Sequence, residues 1–361
     1  MAIIAIIGAG QIGQAVHSII TALRTTTGPL CNIHDVFIFD ANQTTPNVLK
    51  LDFADTAAIA DTLRDCDATH VVNAGPFFFN ENVATAAASA GCHYLDFTED
   101  DVMSAKVQAI YVAKPHLSCA TKCGLAPGFI NYIGHSVVSR IAKPTSLMVS
   151  VGALPRNVNY DASNPAEAYS LSWSVDGLVN EYIRPCHARI GGVEVQAKPL
   201  SRRANLVIDG VAYETALTSG GVGSLITDLA HVPTVYYSTI RYPSHYDYVI
   251  AACARHNNDF DLIKAEFLSN FAFTRDDVIV TYAEAKGYDA AGKYVRETFA
   301  QRYVGLPSAG LTGIQATTAS SGVAVLEMML GGNISGIVTH SSITLDMLSN
   351  TEAFKYGYKK A

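Results

Sequence analysis

Six residues near the start constrain this chain more than any others. Gly8, Ala9, Gly10, Gln11, Ile12 and Gly13 read G-x-G-x-x-G. They follow an apolar, mostly β-branched run at 3–7, which is how a strand buried on both faces reads. Beyond them Ile12, Ala15, Val16, Ile19, Ile20 and Leu23 recur at three-to-four spacing, the period of an amphipathic helix. Strand, glycine turn and helix in this order are the signature of a dinucleotide-binding unit. Gly8 permits the tight turn, Gly10 lets backbone approach a pyrophosphate, and Gly13 lets the helix pack close to the strand. The helix N-terminus, with Gln11 and Ile12 in its first turn, offers N–H groups and a positive dipole end to phosphates.

The βα rhythm continues for about 120 residues. A short apolar strand at 36–39 ends in Asp40, a third unit carries Asp52 and Asp55 at its strand-to-helix junction, and 70–73 reads as a fourth strand. A fifth strand is expected at 94–97, a helix at 102–112 and a sixth strand at 117–121. This predicts a doubly wound parallel sheet with right-handed crossovers. Near Gly124-Leu125-Ala126-Pro127-Gly128 the rhythm stops. Strands are then expected at 146–152, 193–198, 206–208 and 278–282, with mixed connections, and a long helix at 312–330. The expected class is α/β: a Rossmann domain at 1–125, an α+β substrate and dimerisation domain at 126–310, and a helical segment at 311–361 returning to the first domain.

Asp40 sits where an acid accepts hydrogen bonds from an adenosine ribose. Its distance from the glycines exceeds the usual ~20 residues, which the insertion at 25–32 accounts for. An acid there repels a 2′-phosphate, so NAD is favoured, with NADP as the alternative; a plain capping Asp is the competing reading. Asn73, Ala74, Gly75 and Pro76 follow the fourth strand, at the strand end where α/β sheets bind ligands. An ordinary tight turn would look the same.

Composition narrows the rest. Apolar residues make up 49% and charged residues 16% of 361, enough for a large core. Net charge is −7 and no basic run occurs, which argues against nucleic acid or an anionic membrane as partner. Seven cysteines without a C-x-x-C pair point to reduced thiols in a cytoplasmic setting and to no metal site. No apolar stretch reaches transmembrane length, and the glycines interrupt the apolar start too soon for a secretory leader.

Several segments share an order with a known family: GAGQIG at 8–13, VVNAGPFF at 71–78, HYLDFTED at 93–100, CGLAPGFINYIGH at 123–135, SVDGLVNEY at 174–182, ALTSGG at 216–221, TIRYPSH at 239–245 and GIQATTA at 313–319. The chain resembles the saccharopine dehydrogenase (reductase) and lysine 6-dehydrogenase superfamily over nearly its whole length. HYLDFTED, GLAPG and the short overall length look most similar to the lysine 6-dehydrogenase branch. The resemblance implies a Rossmann domain plus an α+β domain, a homodimer, and NAD(P)-dependent oxidation of a C–N bond in an amino acid. Hydride leaves the amine-bearing carbon, that of lysine first among the substrates considered. A saccharopine-type or carboxynorspermidine-type enzyme acting on a secondary amine is the alternative, and a dinucleotide-sensing protein without turnover is a third. Two departures bear on the substrate. Ser244 stands where relatives usually have glycine in RYPGH, and residues 336–341 lack the Pro-Glu pair that relatives often carry.

Such chemistry needs an anion clamp, a base and a path to the cofactor. Arg241 suits a carboxylate clamp, because a guanidinium pairs bidentately, though a structural salt bridge fits equally. His245 is a candidate base or second clamp, or a buried structural histidine. The two share a face only on a helix, which Pro243 opposes. Arg184, Arg202 and Arg203 are candidates for a second clamp. Asp96, Thr98 and Glu99 sit at a strand end, where a carboxylate can bind an ammonium or relay its proton. The competing reading is a helix cap of the form Thr98-x-x-Asp101. Asn131 is a candidate substrate contact, and Tyr182 and Trp173 can line a cavity or fill core. Hydride transfer gives Cys123 no role as a nucleophile.

Overall fold

Strand β1 (Ala2–Ile7) lies in the interior of the first sheet, with Ile4, Ala5, Ile6 and Ile7 wholly buried. The computed structural model describes residues 1–42, 45–156 and 169–361. These fall into two units, one formed by Met1–Phe129 and Gln315–Tyr358 and the other by Ile130–Ile314 and Lys359–Ala361.

In unit 1, β1 leads through the glycine turn into α1 (Gln11–Leu23), which buries Ala15, Val16, Ile19, Ile20 and Leu23 as its period requires. There follow β2 (Ile33–Asp40), β3 (Val48–Lys50), α2 (Thr56–Asp65), β4 (His70–Asn73), α3 (Asn80–Ala90), β5 (His93–Asp96), α4 (Asp101–Val112) and β6 (Cys119–Ala120). Asp55 caps α2, accepting from the N–H groups of Ala57 and Ala58. Strand β2 starts three residues earlier than apolarity alone marks, and β6 is shorter than expected.

Unit 2 opens with α5 (Phe129–Val138) and the long β7 (Lys143–Pro155). Its next elements are β8 (Ser170–Leu171), α6 (Val175–Ile183), β9 (Cys186–Ile190), β10 (Val193–Ala197), β11 (Ala204–Ile208), β12 (Val211–Leu217) and α7 (Leu225–Asp228). Then come β13 (Thr234–Arg241), α8 (His245–Arg255), α9 (Phe260–Asn270), β14 (Ala272–Phe273), β15 (Asp277–Tyr288) and β16 (Tyr294–Val304). The large sheet runs β10-β9-β13-β7-β15-β16, and β12 joins β13 while pairing with β11. β13 and β7 are parallel and the other pairs antiparallel, so the sheet is mixed. A core of Leu178, Val179, Tyr182, Tyr246, Val249, Ile263 and Phe267 packs α6, α8 and α9 together with strand residues such as Leu154 and Val280.

The chain returns to unit 1 through α10 (Gly313–Leu330), β17 (Ile337–Val338), α11 (Leu345–Ser349) and α12 (Glu352–Gly357). β17 pairs in parallel with β6 and completes a sheet of order β17-β6-β5-β4-β1-β2-β3, parallel throughout. The return therefore contributes a strand as well as the expected helices. Lys359 and Lys360 form β18, which pairs with β16 in unit 2.

Within unit 1 the return is pinned by packing and by polar contacts. The buried Glu327 carboxylate accepts from the N–H groups of Glu352 and Ala353, both at 3.0 Å, and so caps α12. Tyr358 stacks on Phe354 at 4.2 Å and packs on Phe129 at 4.4 Å, and its hydroxyl lies 2.5 Å from that of Ser321. Tyr358→Ala removes both ring contacts and leaves Ser321 without this partner. It should cost about 3–5 kcal/mol, read as a lowered urea midpoint; a loss under about 1 kcal/mol would show that the return is not held there.

Candidate functional site

The glycine turn has the geometry its sequence requires. Gly8 takes φ +97°, and a Cβ on it would lie 2.7 Å from the Ala74 carbonyl carbon and the Gly75 nitrogen. Gly13 is more restricted: its Cβ would lie 1.8 Å from the Gly8 carbonyl oxygen. Helix α1 thus begins pressed against the end of β1. Gly10 differs, since a Cβ there would meet nothing within 4 Å. Gly10 is also the N-cap of α1 and supplies no side chain to the first-turn N–H groups. Gln11 is exposed and Ile12 half-buried on that turn. An open backbone face at an uncapped helix start suits an anion.

Asp40 ends β2 beside this turn. Its Oδ2 accepts from Ala9 N–H at 2.7 Å and its Oδ1 from Asn42 N–H at 2.9 Å. Each oxygen keeps a second lone-pair direction. Ala74, Gly75 and Pro76 leave β4 on the other side, and Ala74 N–H donates to Ile7 O at 2.7 Å. Asn73 is buried: its Nδ2 donates to Asn80 Oδ1 at 2.9 Å and Tyr94 OH at 3.0 Å, and its Oδ1 accepts from Gly75 N–H at 3.1 Å. The turn residues Gly8 to Gly13, Asp40 and Asn73 to Pro76 therefore meet at the C-terminal ends of β1, β2 and β4. Asn73 supports the backbone there and does not face out.

Asp96 ends β5 and is 0% exposed. Four donors converge on its carboxylate: Asn80 Nδ2 and Tyr94 OH on Oδ2, both at 3.1 Å, and the N–H groups of Thr98 and Lys122 on Oδ1, at 3.2 and 3.0 Å. Burial outweighs these bonds and raises its pKa to about 6. Thr98 is buried, and its hydroxyl accepts from Asp100 N–H at 3.1 Å. The cap of α4 is Asp100, which accepts from Met103 N–H at 2.7 Å, so the cap lies two residues beyond the Thr98 reading. Glu99 is exposed on the same loop. Cys123 is buried, and burial holds its thiol neutral. Tyr94, Asn80 and Lys122 were not singled out from sequence. No local pattern marks this network, because Asn80 is the first residue of α3 and is followed by the polar Glu81 and Asn82.

Unit 2 brings Arg241 and His245 together without a shared helix. Arg241 ends β13 and His245 begins α8, with Ser244 between them at φ 72°. Arg241 is 1% exposed and His245 0%. Arg241 Nε donates to Tyr182 OH at 2.7 Å, and Tyr182 OH lies 2.9 Å from His245 Nε2. The guanidinium also pairs with Glu181 at 3.1 Å and lies over the rings of Tyr169 and Tyr182, 5.0 and 5.6 Å from their centroids. Burial, then the Arg241 charge, holds His245 neutral, well below the usual histidine range. Its Nδ1 is buried and has no hydrogen-bond partner among the described residues. Neither side chain reaches solvent as an open clamp or base.

The other candidates separate. Asn131, in α5, donates to the carbonyls of Gly221 and Val222 at 3.3 and 2.8 Å, fastening the helix to that turn. Trp173 donates its indole N–H to Tyr169 OH at 3.1 Å. Arg203 is committed to Asp247 and Glu214, Arg202 lies 4.8 Å from the Tyr236 ring centroid, and Arg184 is exposed. Among the described residues no group of three or more His, Cys, Asp or Glu could hold a metal ion, and no helix is long and apolar enough to cross a membrane.

The comparisons with known proteins agree with this architecture. A family model described as "Saccharopine dehydrogenase C-terminal domain" matches residues 124–346. The fold is similar to that of saccharopine dehydrogenase (L-Glu forming) from Saccharomyces cerevisiae, with TM-score 0.75 and 17% identity, covering 100% of this chain and 99% of that one. It is also similar to homospermidine synthase from Legionella pneumophila, solved in complex with NAD, with TM-score 0.65, 12% identity and coverage of 100% and 90%.

The buried carboxyl of Asp96 sets a pH dependence. Its pKa in the folded chain, about 6, lies above its ordinary 3.8, so the folded state takes up this proton first. Stability linked to Asp96 is then full below pH 3.8 and falls as pH rises through 6, by about 3 kcal/mol. Asp96→Asn carries no such dependence. Going from about pH 7 to about pH 4, the unfolding free energy of the wild type should gain up to about 3 kcal/mol on that of the variant, measured in paired urea titrations. A difference that stays flat or moves the other way would contradict a buried, high-pKa carboxyl.

Proposed function

The chain belongs to the saccharopine dehydrogenase C-terminal-domain family, and on that premise we propose that it is a nicotinamide-dinucleotide-dependent oxidoreductase acting on a C–N bond of an amino acid. The observation that carries the cofactor half is the open, uncapped start of α1 between Gly8 and Gly13, with Asp40 beside it. Gly8, Gly10, Gln11, Ile12 and Gly13 would hold the pyrophosphate through backbone N–H groups. Asp40 would accept from ribose hydroxyls on the lone pairs left by Ala9 and Asn42, and its charge disfavours a 2′-phosphate. NAD is therefore the preferred cofactor and NADP the second. Ala74, Gly75 and Pro76 would lie along the cofactor. When bound, a nicotinamide ring supplies the hydride acceptor for oxidation at the carbon bearing nitrogen.

The substrate half rests on the family and on unit 2. A saccharopine-type reaction on a secondary amine is supported by the family match over 124–346 and by the full-length likeness in fold to saccharopine dehydrogenase (L-Glu forming) from Saccharomyces cerevisiae. A lysine 6-dehydrogenase-type reaction on a primary amine is the second reading, favoured by HYLDFTED at 93–100 and GLAPG at 124–128. In either case we assign Arg241 and His245 to holding Tyr182 and Glu181 in place, because the guanidinium is already paired and sealed from water. Breaking such a buried pair leaves an uncompensated charge, so Arg241→Ala should destabilise unit 2 as well as lower turnover.

The test is to mix the purified chain with NAD⁺ or NADP⁺ and a panel of saccharopine, lysine, ornithine and diamines. Reduced cofactor is followed by its near-ultraviolet absorbance. The expected outcome is NAD⁺ reduction with saccharopine, or with lysine if the second reading holds, and weaker reduction of NADP⁺. Binding of NADH without turnover of any amine would contradict the enzyme assignment and leave a dinucleotide-sensing protein.

A further inference from the structure

We infer that Asp96 is a positioning residue, a buried hub that fixes the loops leaving three neighbouring strands, β4, β5 and β6, at the edge of unit 1 that carries the dinucleotide turn. This rests on the cofactor reading above and gives Asp96 a role other than contact with substrate.

The connections run outward from one carboxylate. On Oδ2, Asn80 and Tyr94 donate, and both also hold Asn73, the last residue of β4. Asn73 in turn accepts from Gly75 N–H and so sets the turn after β4. That turn abuts the glycine loop, with the position of a Gly8 Cβ only 2.7 Å from Ala74 and Gly75 backbone atoms. A displaced Gly75 would therefore press on Gly8. On Oδ1, Thr98 N–H fixes the loop after β5 and Lys122 N–H the loop after β6. The Asp96 carbonyl adds a bond from Cys123 N–H at 2.8 Å. Lys122 takes φ 63°, a left-handed conformation uncommon outside glycine, and its carbonyl lies 3.1 Å from His340 Nε2. Backbone held in that region persists where surrounding contacts over-determine it.

The residue type fits the task. An ionised carboxylate accepts at both oxygens, so four donors can converge on it, whereas an asparagine would turn its NH₂ toward two of them. A buried carboxylate is costly, and an apolar residue would fill the same space without that cost. What the carboxylate adds is a tie between three separate loops at the ligand-binding edge of a parallel sheet.

The test uses Asp96→Asn and Tyr94→Phe in the full chain, with two readouts. Tyr94→Phe removes the hydroxyl that links Asn73 to Asp96 and keeps the ring in the core. Deuterium exchange of the 73–79 segment in cofactor-free protein should quicken about tenfold or more in both variants, while exchange in β7 stays as in the wild type. NADH affinity by calorimetry should weaken about tenfold, with a matching rise in KM for the dinucleotide and a smaller change in kcat. Should Asp96→Asn fail to fold, Tyr94→Phe carries the test alone. Variants that melt earlier yet keep wild-type exchange at 73–79 and wild-type NADH affinity would overturn the hub and leave a purely structural carboxylate. Wild-type protein that binds neither NADH nor NADPH would overturn the dinucleotide reading instead, because the exchange readout needs no cofactor.

Discussion

Helix α1 can begin where it does because residue 13 has no side chain. A methyl group on Gly13 would coincide with the Gly8 carbonyl, and relieving that clash would lift the helix from β1. With the glycine in place, the helix start, the end of β1 and the exits of β2 and β4 converge. Asp40 reaches the turn from one side through Ala9, and Ala74 closes on Ile7 from the other. The chemistry proposed for unit 1 depends on this close approach, which brings the open N–H face of α1 to the end of β1.

Each unit also keeps a buried charge, and the two are managed differently. Asp96 is surrounded by donors, two from side chains and two from backbone, with burial still raising its pKa. Arg241 is balanced by Glu181 and by the faces of Tyr169 and Tyr182, and burial, with the Arg241 charge second, depresses the pKa of His245. Replacing a whole buried pair with apolar residues of similar volume is often neutral for stability, whereas removing one partner alone is strongly destabilising. Both lie at strand C-termini, Asp96 on β5 and Arg241 on β13.

The glycine turn, the alternation of strands and helices in unit 1 and the α+β class of unit 2 were legible in the sequence because local period and turn chemistry specify them; that the unit 2 sheet is mixed rather than antiparallel was not, since it rests on the long-range β13–β7 pairing. What was not legible depended on distant partners. β17 is two residues long and carries no period; only its pairing with β6 makes it a strand. The cap of α4 fell on Asp100 because Thr98 was already engaged with that residue and with Asp96. Arg241 and His245 were expected to need a helix to meet, yet they meet across a strand-to-helix corner through Tyr182. Ser244, where relatives usually have glycine, occupies the left-handed conformation of that corner at φ 72°, which gives the usual glycine a physical reason. Arg241 is enclosed by Tyr169, Tyr182 and Glu181, about sixty to seventy residues upstream, which no short window around it contains.

The most direct measurement is a crystal structure of the chain grown with NADH. Pyrophosphate density is expected against the backbone of Gly8 to Gly13 at the start of α1, with the adenosine ribose within hydrogen-bond distance of Asp40. A dinucleotide bound elsewhere, or one that leaves the α1 N-terminus uncovered, would contradict the dinucleotide reading.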